Sequence, residues 1–291
     1  MVGTATANAL RSDGHKVARF VRPGGNAGPG DVHWDPMAAT VDVAAMEGAD
    51  ALIHLSGERI GEGRWTQERK NVLRGSRLGS TRVLVDAVAN LQRRPRVFLA
   101  ASAIGYYGDR GDELLMESST NGTGFLAQLA RDWEAESLRA QSLGIRTVLL
   151  RFGMILSAHG GALPKMLTPF KLGLGGRLGS GRQWISWLAL EDVIGAIRAT
   201  LIDERFSGPI NVVAPNPVQN ADFTRALASA LRRPALLPTP GFALRLALGA
   251  MADELLLASQ RVQPQRLIEL GFPFRYPDLE SALRAIVAEP A

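Results

Sequence analysis

Apolar residues along this chain fall into two alternating kinds of run. Five are short and nearly continuous: 16–21 (KVARFV), 49–55 (ADALIHL), 95–101 (PRVFLAA), 146–152 (RTVLLRF) and 209–214 (PINVVA). Runs of this length, β-branched or leucine-rich, predict strands buried on both faces. Between them lie longer stretches with helical spacing. Residues 67–91 place Val72, Leu73, Val83, Leu84 and Val88 at such intervals. Residues 124–144 end on Gly144, a helix stop. Residues 191–203 begin with Glu191 and Asp192, which suit a helix amino end. A strand–helix alternation of this kind predicts an α/β fold, a doubly wound parallel sheet with helices on both faces.

After about Asn216 the pattern becomes mainly helical, with proline joints at Pro234 and at Pro238 and Pro240. The expected organisation is a parallel-sheet domain over 1–215 and a smaller helix-rich region over 216–291. Residues 157–190, glycine-rich and carrying Trp184 and Trp187, are expected to form an arm beside a substrate cleft. Phe170, Trp184 and Trp187 are candidates for the wall of that cleft, or else core packing with glycine turns.

Composition narrows the function classes. The chain has 291 residues, 46% hydrophobic and 21% charged, as expected of a globular protein. Its net charge is +5 with no long basic run, so no nucleic-acid partner is expected. There is no cysteine, which excludes disulfides, thiolate metal sites and cysteine nucleophiles. His15, His33, His54 and His159 lack metal-ligand spacing, so no metal is expected. No apolar run reaches membrane-spanning length and no signal pattern opens the chain. The expectation is a cytoplasmic protein without a membrane partner.

The chemistry concentrates at strand ends, where open α/β sheets bind ligands. Gly3 opens a helical stretch, Gly14-His15 closes it, and a strand follows ending at Val21-Arg22. In a dinucleotide-binding unit the residue after that second strand meets the adenosine ribose, and an arginine suits a 2′-phosphate. Leu55-Ser56-Gly57 makes a small turn after the next strand, and His54 reads as a packed core histidine. In AASAIGYYG, Ser102, Tyr106 and Tyr107 close a further strand and are candidates to bind and protonate a carbonyl. Lys165 is an additional candidate to polarise its oxygen. No Gly-x-Ser-x-Gly elbow and no His-Glu-x-x-His motif occurs.

Taken together, HLSGERI, RWTQERKNVLRGSRLGSTRVLVDA, SAIGYYG, FLAQLARDWE, LRFGMILS, GGALPKMLTPFKLGLGG, GSGRQWISW, RPALLPTPGFALRLALG and SQRVQPQRLIELGFPF resemble the epimerase family proteins. These are nucleoside-diphosphate-sugar epimerase-like members of the atypical, extended short-chain dehydrogenase/reductase superfamily. The resemblance spans nearly the whole chain. It implies a Rossmann-like domain that binds NADP(H) and a small-molecule substrate, and an NADP-dependent oxidoreductase or epimerase-like activity. The cofactor positions it implies are Gly3, Val21, Arg22, Leu55, Ser56 and Arg77, with Met154 and Ile155 facing the nicotinamide. Gly57 and Ser102 adjoin them.

Two departures qualify this. The superfamily's Tyr-x-x-x-Lys pair is absent, and Phe125, Leu126 and Ala130 stand in its place. That opens an alternative, a non-catalytic NADPH-binding sensor or regulatory module. Relatives also begin with a strand and a glycine-rich turn, of which only Gly3 is present. The expectation is that about ten residues, one strand and its turn, are missing through a misassigned start codon or a truncation.

Overall fold

A computed structural model describes residues 1–288 of the protein. Its strands are β1 (Phe20–Val21), β2 (Val32–Asp35), β3 (Thr40–Val41), β4 (Ala51–His54), β5 (Val97–Ala103), β6 (Leu114–Leu115), β7 (Arg146–Phe152), β8 (Met154–Leu156), β9 (Trp184–Ile185), β10 (Trp187–Ala189), β11 (Gly208–Val212), β12 (Val218–Gln219) and β13 (Arg261–Val262). Its helices are α1 (Val2–Ser12), α2 (Gln67–Arg74), α3 (Ser80–Ala89), α4 (Phe125–Leu138), α5 (Leu163–Lys171), α6 (Leu190–Ile202), α7 (Asn220–Leu231), α8 (Gly241–Leu248), α9 (Gln265–Glu269) and α10 (Leu279–Ala288).

The central sheet is parallel, in the order β11-β7-β5-β4. Side chains of β5 alternate between two cores, as the period of two requires. Val97 and Leu99 pack with α6, α7 and α10 on one face. Phe98 and Ala100 pack with Leu84, Val88 and Leu149 on the other. Burial on both faces explains the continuous apolar runs, and the expected doubly wound architecture is the observed one. The carboxyl-terminal region shares the first core through Phe223, Leu227, Leu279 and Leu283.

Element boundaries depart from the sequence expectation in three places. The 67–91 stretch is helical but not uniform, because a π-helical segment at Gly75–Gly79 separates α2 from α3. The stretch 241–260 breaks at Gly249 (φ +63°), a left-handed backbone that ends α8. The strand expected over 16–21 shrinks to Phe20–Val21, since only one of its edges finds a partner, in β2.

That shortening marks an interruption of the sheet. β1, β2 and β3 form their own three-stranded sheet, and β1 is not bonded to β4. Between them opens a cavity of about 1380 Å³, bounded by α1, by the edge of β4 and by Leu84, Val88 and Leu91 of the lower layer. Apolar side chains such as Leu52 and Val88 and charged ones such as Arg146 and Arg198 face it, and β1 and β4 stand on its two sides without bonding each other.

Candidate active site

The carboxyl ends of β4, β5 and β7 and the segments after them bring the candidate residues together. Arg151, near the end of β7, is 3% exposed and sits between the apolar Leu150 and Phe152. A buried guanidinium demands a partner. Glu134 of α4 provides it with two hydrogen bonds, Nε to Oε1 at 2.7 Å and Nη2 to Oε2 at 2.8 Å. Burial works against the arginine's charge, and this carboxylate more than offsets it, raising its pKa. Ser102 donates to the same carboxylate at 2.6 Å.

Arg151 Nη1 also donates to the Tyr107 hydroxyl at 2.9 Å, and that hydroxyl donates to Asn211 Oδ1 at 2.7 Å. Tyr107 is fully buried, and burial pushes its pKa up to about 12 against the pull of Arg151. Asn211 donates in turn to the Gln263 carbonyl at 2.9 Å. Ser102 and Tyr107, both expected at a substrate, thus lie in a closed buried network whose hydroxyls are already engaged. Tyr106 differs. Its ring lies 3.6 Å from the Arg151 guanidinium, it is half-buried, and its hydroxyl makes no hydrogen bond among the described residues. Lys165 is exposed on α5 and reaches the Gly61 carbonyl at 3.4 Å.

Helix α4 offers no titratable group at the positions of the missing pair. Phe125 packs edge-on to Trp65 with ring centres 5.3 Å apart, Leu126 is half-buried and Ala130 is buried. The helix amino end is held instead by Glu254 from the carboxyl-terminal region, which accepts from Phe125 N at 3.0 Å and Leu126 N at 2.7 Å. A carboxylate there satisfies amides that the helix leaves open.

The expected cofactor positions cluster in part. Ser56 and Gly57 are exposed directly after β4, with Leu55 half-buried beside them. The Arg77 guanidinium lies across Gly57, where a Cβ would come within 3.4 Å of it. It donates to the Glu58 carbonyl at 3.0 Å and the Leu73 carbonyl at 3.2 Å, and faces the Trp133 ring at 5.3 Å. Burial pulls its pKa down to about 10, against the opposing charge of Glu58. Met154 and Ile155 are half-buried in β8, where they pair with Trp187 and Leu188. Gly3 lies in the first turn of α1, which has no side-chain cap. Met1 packs on Gly160, which brings the start of α1 to the segment after β8.

At β1, Arg19 pairs with Asp31 at 2.6 Å and is committed to that loop. Arg22, after Val21, is exposed and forms no ion pair among the described residues. His54 is buried beside Ser80 Oγ at 3.1 Å, and burial lowers its pKa to about 4, as for a packed neutral imidazole. Of the proposed cleft aromatics, Trp187 and Phe170 belong to the core and only Trp184 is partly open. Their flanking glycines bring backbone close to them, which is a core-packing role: a Cβ at Gly175 would sit 2.6 Å from the Phe170 ring.

Sequence reading missed Arg151, Glu134, Asn211 and Glu254. The one signal available was a charge at position 151 inside an apolar strand, which requires a buried partner without saying which residue it is.

Comparisons with known proteins give the family. The model of the NAD dependent epimerase/dehydratase family matches residues 1–213, and a domain of unknown function (DUF1731) matches 239–286. The chain is 42% identical to an epimerase family protein of Mycobacterium leprae, over 100% of this chain and 94% of that one. It is 34% identical to human epimerase family protein SDR39U1, over 99% of this chain and 96% of the relative. The crystal structure of an isoform of that human protein with NADPH superposes with a TM-score of 0.89 at 31% identity, covering 99% of this chain and 96% of the other. The chain belongs to the NAD dependent epimerase/dehydratase family.

Proposed function

We propose that this protein binds NADP(H) across the carboxyl ends of β1, β4, β5 and β7. On this reading it acts as an oxidoreductase or epimerase-like enzyme on a small carbonyl or sugar-nucleotide compound. Residues 1–215 would be the cofactor-binding part, 216–291 the substrate side and 157–190 the arm between them, in a cytoplasmic protein. The observation that carries the cofactor choice is the contrast between two arginines. Arg19 is neutralised by Asp31, whereas Arg22 stands exposed and unpaired at the end of β1. No acid occurs between His15 and Gly30 to meet the ribose hydroxyls, as NAD-specific folds require. The human relative crystallised with NADPH supports the same choice.

The residues present fit the dinucleotide. Arg22 would hold the 2′-phosphate, the uncapped start of α1 at Gly3 the pyrophosphate, and Ser56 and Gly57 the ribose beside β4. When bound, the nicotinamide supplies or accepts a hydride. Of the chain's own groups, Tyr106 after β5 would offer an uncommitted hydroxyl for the proton and Lys165 on α5 an ammonium for the oxygen.

Titrating NADPH and NADH against the protein and its Arg22→Ala variant tests the cofactor assignment. A charge-assisted contact contributes about 1.5–3 kcal/mol, so wild type should prefer NADPH roughly tenfold or more, and the variant should lose most of that preference. Equal affinities in wild type, or a preference that survives the substitution, reject it.

A second reading, an NADPH-binding sensor, draws on the apolar Phe125, Leu126 and Ala130 and on the engaged hydroxyls of Ser102 and Tyr107. The two separate on NADPH oxidation with a panel of carbonyl compounds. An enzyme turns over and loses kcat more than binding in Tyr106→Phe. A sensor binds NADPH and turns over nothing.

A further inference from the structure

The charge of this chain is unevenly placed. Residues 160–190 contain Lys165, Lys171, Arg177 and Arg182 and no acid; residues 223–252 contain Arg225, Arg232, Arg233 and Arg245 and no acid. These eight basic residues exceed the whole net charge of +5, so the rest of the chain is net acidic. The fold brings the two acid-free segments together. Leu237 N donates to the Gly175 carbonyl at 3.2 Å, Thr239 N to the Arg177 carbonyl at 2.9 Å, and Gly179 N to the Thr239 carbonyl at 2.9 Å.

The same ladder carries an unusual set of exposed apolar side chains. Leu172 and Leu174 lie on one segment and Leu236 (80% exposed) and Leu237 on the other. Helix α8 follows directly. It has no buried residue, and its Phe242 (72%) and Leu246 (79%) stand one turn apart on one face. Exposed apolar groups gathered in this way mark an interaction surface. Lys171, Arg177, Arg232 and Arg233 are exposed around it and form no ion pair among the described residues.

We infer that this face, built from 171–177, 232–237 and α8, docks on an anionic lipid surface. Charge complementarity selects that occupant. Side chains such as Phe242 and Leu246 enter the boundary between headgroups and acyl chains, while a rim of unpaired Lys and Arg meets anionic headgroups. A second copy on the same face would set one basic rim against the other. The contact is peripheral, because no helix among the described residues is long and apolar enough to cross a membrane. It revises the expectation of no membrane partner, and it is independent of the cofactor assignment.

Flotation of the protein with phosphatidylcholine vesicles, with and without phosphatidylglycerol, tests this. Binding is expected to the phosphatidylglycerol vesicles, to fall at least tenfold at high salt, and to fall at least tenfold in Phe242→Glu/Leu246→Glu and in Arg232→Ser/Arg233→Ser. All four sites are exposed, so both variants should keep the wild-type melting temperature and NADPH binding. Phe242→Trp should bind like wild type and shift its fluorescence to the blue on those vesicles. No binding, equal binding to neutral vesicles, or an unshifted emission spectrum in Phe242→Trp overturns the proposal. So does a dimer by light scattering that Leu246→Glu dissociates, since the face then belongs to a second copy.

Discussion

On one side of β5 the sheet is continuous: β7 and β11 pair along most of their length, and the polar groups at their ends are matched from Ser102 through Glu134, Arg151 and Tyr107 to Asn211. On the far side of β4 the sheet stops at a cavity of about 1380 Å³, and β1 resumes beyond it with only β2 as partner. Both sides are lined by the same kinds of apolar residue. The difference is that backbone amides and carbonyls must also be paired, and side-chain hydrophobicity does not do that. The closed side is therefore where substitutions should be most damaging, and the open side is where additions should help.

The largest expected effect breaks the closed side. Arg151→Met leaves the Glu134 carboxylate buried without its cation. Losing one partner of a buried pair costs about 3–5 kcal/mol. Denaturant unfolding should show that loss, and Arg151→Met/Glu134→Met together should recover much of it. A double variant no more stable than the single one would mean that the pair is not the unit that matters.

Acid probes the boundary between the halves, because His54 ends β4. The folded protein keeps its imidazole neutral down to about pH 4, while the unfolded chain takes up a proton near 6.5. The unfolded state therefore binds more protons, and stability contributed at neutral pH is lost as pH falls from 6.5 towards 4. The full loss is about 3 kcal/mol. Melting temperature followed across that range should fall more steeply in wild type than in His54→Gln. Parallel curves would indicate that His54 titrates normally.

A smaller gain should come from the open side. Supplying one parallel strand to the slot, as an apolar β-forming segment joined to the amino end, should pair the free edges of β1 and β4. We expect a higher melting temperature and NADPH binding about tenfold tighter, or roughly 1.4 kcal/mol. Equal values for both forms would show that the cavity is not a strand position.

Much of this was legible from local pattern. Burial on both faces of a parallel strand imposes a continuous apolar run, so the runs ending near Leu55, Ala101, Phe152 and Ala214 marked β4, β5, β7 and β11 within a few residues. The exposed turn at Ser56 and Gly57 was legible too, because small polar residues after an apolar run mark a strand end. The 16–21 run had the composition of a strand, but how much of it is paired depends on which neighbour its edges meet, and here only Phe20 and Val21 are paired, with β2. Position 151 announced a buried charge and nothing about its partner. Glu134, Tyr107 and Asn211 lie on three other elements, and they meet Arg151 only because α4 crosses the sheet, the chain turns after β5 and β11 pairs with β7. The same holds for Arg19 and Arg22: two arginines three residues apart look alike in the sequence, and only the fold of the 22–31 loop brings Asp31 to one and leaves the other free. Local periodicity determined which elements this chain forms. Long-range pairing of polar groups, which depends on where those elements meet, was decided by the tertiary structure alone.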